Sequence, residues 1–146
     1  MSMHDTTQAV RDANAVETIK QFAAGNPAIV SVYIFGSFGT TFVHSESDID
    51  VAILFHQSRI PDSLALMDMK FGLEQLTGVP VDVVCLNNAS PIMSMQVLKK
   101  GKKILDKDGF LTNEFFVRTV NSYADLKIVR RPIEDWIFRE AIHGRS

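Results

Sequence analysis

At 146 residues the chain has room for one domain with a sizeable core and too little for two. Its 46% hydrophobic and 22% charged residues exclude a disordered chain, and a formal net charge of -2 gives no global attraction to nucleic acid or an anionic membrane. The single cysteine, Cys85, excludes an internal disulfide framework and fits a reducing compartment. "MSMHDTTQAV" lacks the basic flank and apolar stretch of a signal peptide, and no apolar run approaches a membrane span. The expectation is one soluble, cytoplasmic domain over 1–146, with a core over about 9–106 and a C-terminal helical segment over about 110–143.

From Ala9 to Ala24, Val10, Ala13, Val16, Ile19 and Phe22 recur at helical spacing until "GNP" stops them. "AIVSVYIF" (28–35) and "DIDVAILF" (48–55) read as strands, being rich in β-branched and aromatic residues. Pro61 suits a helix's first turn, and the following segment carries Leu64, Met67, Phe71 and Leu73/Glu74 before Gly78 ends it. "VPVDVVCL" (79–86) is a third strand, "SPIMSMQVLKKG" a short helix and "KKIL" a short strand. A helical pattern then runs from Thr112 to about Ile142 through Phe116, Val120, Tyr123, Leu126, Val129, Ile133, Trp136 and Ile137, and Pro132 is expected to kink or split it. This order gives a small mixed β-sheet flanked by helices, α/β or α+β, with C-terminal helices.

The chemistry concentrates around the second strand. Its alternation puts Asp48 and Asp50 on one face and Ile49, Val51 and Ile53 on the other. Two carboxylates this close repel, and no Lys or Arg lies within five residues before or eight after them. A hard divalent cation such as Mg²⁺ answers that repulsion, because it takes oxygen ligands and completes its shell with water and substrate phosphate. Asp82, alone among apolar residues in "VPVDVVCL", supplies a third carboxylate from a neighbouring strand. Three such groups could hold two metal ions about 3.5–4 Å apart, the clamp of in-line phosphoryl displacement.

A place for phosphates is present too. "FGSFGT" leaves a strand through Gly36, which lets the backbone approach a ligand, and Ser37 suits the opening of a short helix whose free N–H groups attract anions. This is no ordinary P-loop, since "GSFGTTFV" has no lysine.

Gly36-Ser37, ten residues, then Asp48-Ile49-Asp50 resembles the G-S-x10-D-x-D signature of the nucleotidyltransferase superfamily that includes DNA polymerase beta and the aminoglycoside nucleotidyltransferases. Within it the chain is similar to the minimal nucleotidyltransferases, the MNT antitoxins encoded beside HEPN ribonuclease toxins. The resemblance implies a nucleotidyltransferase core that moves AMP from ATP to a hydroxyl with two Mg²⁺ ions. Gly36 and Ser37 would hold the triphosphate, and Asp48, Asp50 and Asp82 would be catalytic metal ligands, Asp82 also helping to deprotonate the hydroxyl. Many relatives continue as G-S-x-A-R-G, whereas Thr40 stands at the arginine's place here. Arg59, Lys70 and the "KKGKK" run at 99–103 are the candidate replacements for that cation.

Relatives that modify aminoglycosides or copy nucleic acid carry further domains for the acceptor, so here the acceptor is expected on another molecule. The resemblance makes that a cognate HEPN toxin in a hetero-oligomer, modified on a hydroxyl, most plausibly of tyrosine, and so neutralised. Neither direct nucleic-acid binding nor a membrane is expected. Tyr123, Leu126, Val129, Ile133, Trp136 and Ile137 form an apolar stripe at helical spacing, and with Arg130 they are the candidate partner interface. The same stripe could simply pack on its own sheet. Two rival functions stay open: neutralisation by occlusion alone, which gives the aspartates no purpose, and nucleotidyl transfer to a small molecule or RNA. His4, His44, His56 and His143 show no zinc spacing, while Cys85 and Met67, Met69, Met93 and Met95 read as packing residues.

Overall fold

The computed structural model describes residues 3–35 and 49–143, with side chains over 13–35 and 49–126. In chain order the elements are α1 (Met3–Ala24), β1 (Ile29–Phe35), β2 (Ile49–Phe55), α2 (Ser63–Thr77), β3 (Val81–Cys85), α3 (Pro91–Lys100), β4 (Lys102–Asp106) and α4 (Gly109–His143). The strands form a sheet of order β3-β2-β1-β4. β1 is antiparallel to both β2 and β4, whereas β2 and β3 run parallel, so the sheet is mixed.

Strand alternation divides the core between two faces. Val32, Ile34, Val51, Ile53 and Val81 pack with Ile19 of α1 and Leu73 of α2. On the opposite face Val30, Tyr33, Ala52 and Leu54 pack with Val97 of α3 and Leu111 and Phe115 of α4. The sheet is therefore covered by helices on both sides, and β1 and β2 are buried along nearly their whole length.

The helix ends follow local chemistry. Asp62 caps α2 by accepting from Ala65 N at 2.8 Å, so Pro61 precedes the cap rather than opening the first turn. Gly78, at φ 74°, closes α2 with its N–H on Glu74 O. Ser90 caps α3 through Met93 N at 3.1 Å, with Pro91 in the first turn. α1 begins at Met3 rather than Ala9, because neither Gly nor Pro interrupts the chain before Gly25.

Three expectations need correction. Of the kink or split expected at Pro132, the split is excluded: α4 is one element from Gly109 to His143, since losing one N–H partner costs less than the turns on either side supply. On α2 the inward stripe is Leu66, Met69 and Leu73, while Leu64 (70% exposed), Met67 and Phe71 (53%) face outward. Both triads share a helical period, and only the sheet decides which one is covered. On α4, Thr112 and Thr119 are buried, and Phe116 and Val120 of the expected stripe turn outward with Phe110 and Val117. Met93 is exposed like Met67, whereas Met95 and Cys85 are core residues as expected.

The turn from α3 into β4 packs closely against the end of β1. A Cβ on Gly101 would lie 2.4 Å from Val97 O and 3.4 Å from Ile34 O, both backbone atoms. Gly101→Ala is therefore expected to cost about 2 kcal/mol by forcing α3 off the sheet. Urea unfolding of the variant against the parent checks it, and an unchanged midpoint would mean that this turn is loose.

Candidate active site

Asp50 and Asp82 are brought together by the sheet. They are register partners on the adjacent parallel strands β2 and β3, so their Cα atoms stand about 4.8 Å apart in the pairing direction. Their neighbours Ile49, Val51 and Val81 point to the α1/α2 side and are buried. Alternation therefore turns both carboxylates to the α3/α4 side, which Asp50 shares with Ala52 and Leu54. Asp50 is half-buried and Asp82 exposed, at the end of the sheet where both strands begin. Like charges directly opposite on paired strands repel, and a divalent cation bound between them would offset that repulsion.

The other expected site residues, Gly36, Ser37 and Asp48, lie outside the described residues. The sheet still fixes where that segment starts. Phe35, the last residue of β1, is the partner of Asp50, so the chain leaves β1 beside the carboxylates, and it rejoins the sheet at Ile49. Among the described residues no group of three or more His, Cys, Asp or Glu converges as a metal site. Two carboxylates, hard oxygen donors on neighbouring strands, are what these residues contribute. They fit a hard divalent ion that keeps its remaining positions for water and phosphate.

Of the candidate cations, Arg59 follows β2 at the far end of the sheet. Lys70 pairs with Glu74 at 3.3 Å and Lys103 with Asp106 at 3.0 Å, while Lys99 Nζ stands 5.6 Å from the centre of the Tyr123 ring. Lys102 is opposite Ile34, so the 99–103 run belongs to the same end of the sheet as Asp50.

Glu74, which the sequence offered only as a member of a helical pattern, makes an unexpected link to this site. Its Oε2 accepts from the backbone N–H of Val81 at 3.1 Å and from Lys70 Nζ at 3.3 Å. The Val81 N–H holds the Glu74 carboxyl below the usual carboxylate range, against a smaller opposing effect of burial and with help from Lys70. Next to Val81, Pro80 O accepts from Ile49 N at 3.0 Å. A glutamate six residues before a proline and seven before a strand is the only trace of this in sequence, and it is too common to single out.

A cavity of about 170 Å³ lies elsewhere, at the far end of β2, lined by Leu54, His56, Leu86, Phe115 and Arg118 among others. Five residues of strand, about 17 Å, separate that end of β2 from Asp50, so the cavity is no part of the carboxylate site.

The domain described as "Polymerase beta, Nucleotidyltransferase" matches residues 17–110, which include β1, β2, β3 and both described aspartates. The chain belongs to the polymerase beta nucleotidyltransferase family. Among relatives of this nucleotidyltransferase, protein adenylyltransferase MntA of Shewanella oneidensis is 30% identical over 128 residues, 86% of this chain and 88% of the relative. A solved toxin–antitoxin structure with AMP-PNP contains a chain with 29% identity and a TM-score of 0.72, covering 86% of this chain and 98% of that one. A second solved structure, tri-AMPylated Shewanella oneidensis HEPN toxin in complex with MNT antitoxin, matches at 27% identity and a TM-score of 0.68, over 88% of this chain and 98% of that one. The mixed sheet with helices on both faces is thus the nucleotidyltransferase fold expected from the sequence. No helix among the described residues is long and apolar enough to cross a membrane.

Proposed function

We propose that this nucleotidyltransferase is an antitoxin that transfers AMP from MgATP to a tyrosine hydroxyl on a cognate HEPN ribonuclease toxin. The observation that carries the reading is the register pairing of Asp50 with Asp82, in a chain similar over most of its length to a protein adenylyltransferase. The similarity to an antitoxin bound to a tri-AMPylated HEPN toxin supports the partner and the group transferred.

In this reading Asp48, Asp50 and Asp82 hold two Mg²⁺ ions, and Gly36 and Ser37 cradle the triphosphate. When bound, Mg²⁺ neutralises charge on the transferring phosphoryl group and lowers the pKa of the attacking hydroxyl. The toxin hydroxyl oxygen bonds to the α-phosphorus, the bond to the bridging oxygen breaks, and pyrophosphate leaves. In the same reading Asp82, the more exposed of the two described carboxylates, receives the hydroxyl proton. The product is a phosphodiester between AMP and the toxin side chain.

The length of α4 supports a protein partner. The helix is tied to the far end of β4 by Thr112 Oγ1 donating to Asp106 Oδ1 at 2.8 Å, and it reaches the end of α3 where Lys99 meets Tyr123. It therefore climbs toward the carboxylate end of the sheet, and beyond Tyr123 about 30 Å of helix remains. A strand of seven residues spans only about 23 Å, so the sheet is too short to cover a helix of this length. Leu126, Val129, Arg130, Ile133, Trp136 and Ile137 lie on the excess length, and with Tyr123 they are the proposed docking stripe.

The test uses purified protein, labelled ATP and the cognate toxin. Label is expected on the toxin with Mg²⁺ or Mn²⁺ and none with EDTA, and the toxin is expected to remain inactive and heavier by AMP after the antitoxin is stripped away. Full recovery of ribonuclease activity with no added mass would leave neutralisation by occlusion as the function.

A further inference from the structure

We propose that Glu74 is a positioning residue for Asp82, holding the start of β3 so that the two carboxylates stay in register. The inference rests on the reading of Asp50 and Asp82 as metal ligands.

β3 is an edge strand, so its outward backbone groups have no neighbouring strand to bond. At Val81, the residue just before Asp82, the N–H is taken instead by Glu74 Oε2 from the last turn of α2. Val81 pairs with Ile49, the residue just before Asp50, and Pro80 O accepts from Ile49 N. One side chain thus anchors the backbone at the point where the relative position of Asp50 and Asp82 is set. Val79 N–H donates to Thr77 Oγ1 at 3.3 Å and Pro80 has no N–H, so Val81 N–H is the next backbone donor after the helix cap.

The placement of Glu74 breaks a local rule. An acidic residue in the last turn of a helix faces the negative end of the helix dipole, and α2 has no basic residue in that turn. Such departures concentrate at sites where geometry matters more than local stability. The Val81 N–H and Lys70 offset the misplaced charge, and as a carboxylate Glu74 only accepts, which keeps both bonds in one sense. The remainder of the α2–β3 turn is closed as well: Thr77 Oγ1 donates to Leu73 O at 2.8 Å, and Gly78 N to Glu74 O at 2.8 Å.

Mn²⁺ affinity in the presence of a non-hydrolysable ATP analogue, measured by electron paramagnetic resonance on the full chain, separates positioning from mere stabilisation. Glu74→Met keeps the helix and removes the acceptor; Glu74→Asp keeps the charge and shortens the reach. Both are expected to weaken Mn²⁺ binding and to lower the kcat of AMP transfer by about tenfold, the usual scale for losing a residue that orients a metal ligand. Glu74→Gln, whose carbonyl oxygen can accept the same bond, is expected to stay within about twofold of the parent. The pair Met and Asp guards against one variant failing to fold. Parental Mn²⁺ affinity and kcat in a folded Met or Asp variant, with only the melting temperature lowered, would overturn the role of Glu74. So would a Gln variant as impaired as Met. A parent protein that neither binds Mn²⁺ with the analogue nor transfers AMP would instead defeat the reading of the carboxylates themselves.

Discussion

Replacing Asp50 and Asp82 together with asparagine is expected to lower AMP transfer by about 10³-fold or more, because metal-borne charge stabilisation in phosphoryl transfer is worth several kcal/mol. The same double variant is expected to melt close to the parental temperature. The two carboxylates stand at the starts of neighbouring strands, and asparagine keeps the side-chain volume of aspartate. The combination is diagnostic, since a variant that loses activity by unfolding moves both quantities in the same direction. Transfer of label to the toxin and a thermal melt provide the two readings. Near-parental transfer by a folded double variant would show that the metal is held elsewhere.

Trp136→Ala is expected to leave the chemical site intact and to weaken docking of the toxin by about 2 kcal/mol, or roughly 30-fold in Kd. Modification would then be slow at low toxin concentration and recover at saturation, a rise in KM with kcat little changed. The expectation follows from the proposed docking stripe, which runs through Trp136 on the length of α4 beyond Tyr123. Calorimetric titration with the toxin gives the affinity directly. Parental affinity in this variant would move the search to the outward face of α4 formed by Phe110, Phe116, Val117 and Val120.

Much of the fold was legible in sequence because the strands announce themselves. "AIVSVYIF" and "DIDVAILF" are β-branched runs with few alternatives, and they lie within one residue of β1 and β2. The carboxylates were legible for a related reason: an aspartate inside a strand that is otherwise apolar has to be explained by something outside the strand. Alternation then assigned Asp50 to the face opposite Ile49 and Val51, as found. Where the sequence misled, periodicity was ambiguous. On α2, Leu64, Met67 and Phe71 keep the helical period as faithfully as Leu66, Met69 and Leu73 do, and no local rule ranks one triad above the other. Of the two outcomes expected at Pro132 the split does not occur, because the local cost of a proline is fixed while the length of helix on either side is not.

By itself the sequence determined the class of fold, the strand that carries Asp50, the presence of a third carboxylate in Asp82 and the family to which the chain belongs. These depend on residue type and on spacing along the chain, which sequence records directly. Only the tertiary structure decided that Asp50 and Asp82 are register partners, that the 99–103 lysines stand at their end of the sheet and Arg59 at the other, and that Glu74 grips the backbone beside Asp82. The first two join residues distant along the chain, through a strand order set by how the two faces of the sheet are covered, and the third depends on how the turn from α2 into β3 folds back on the helix.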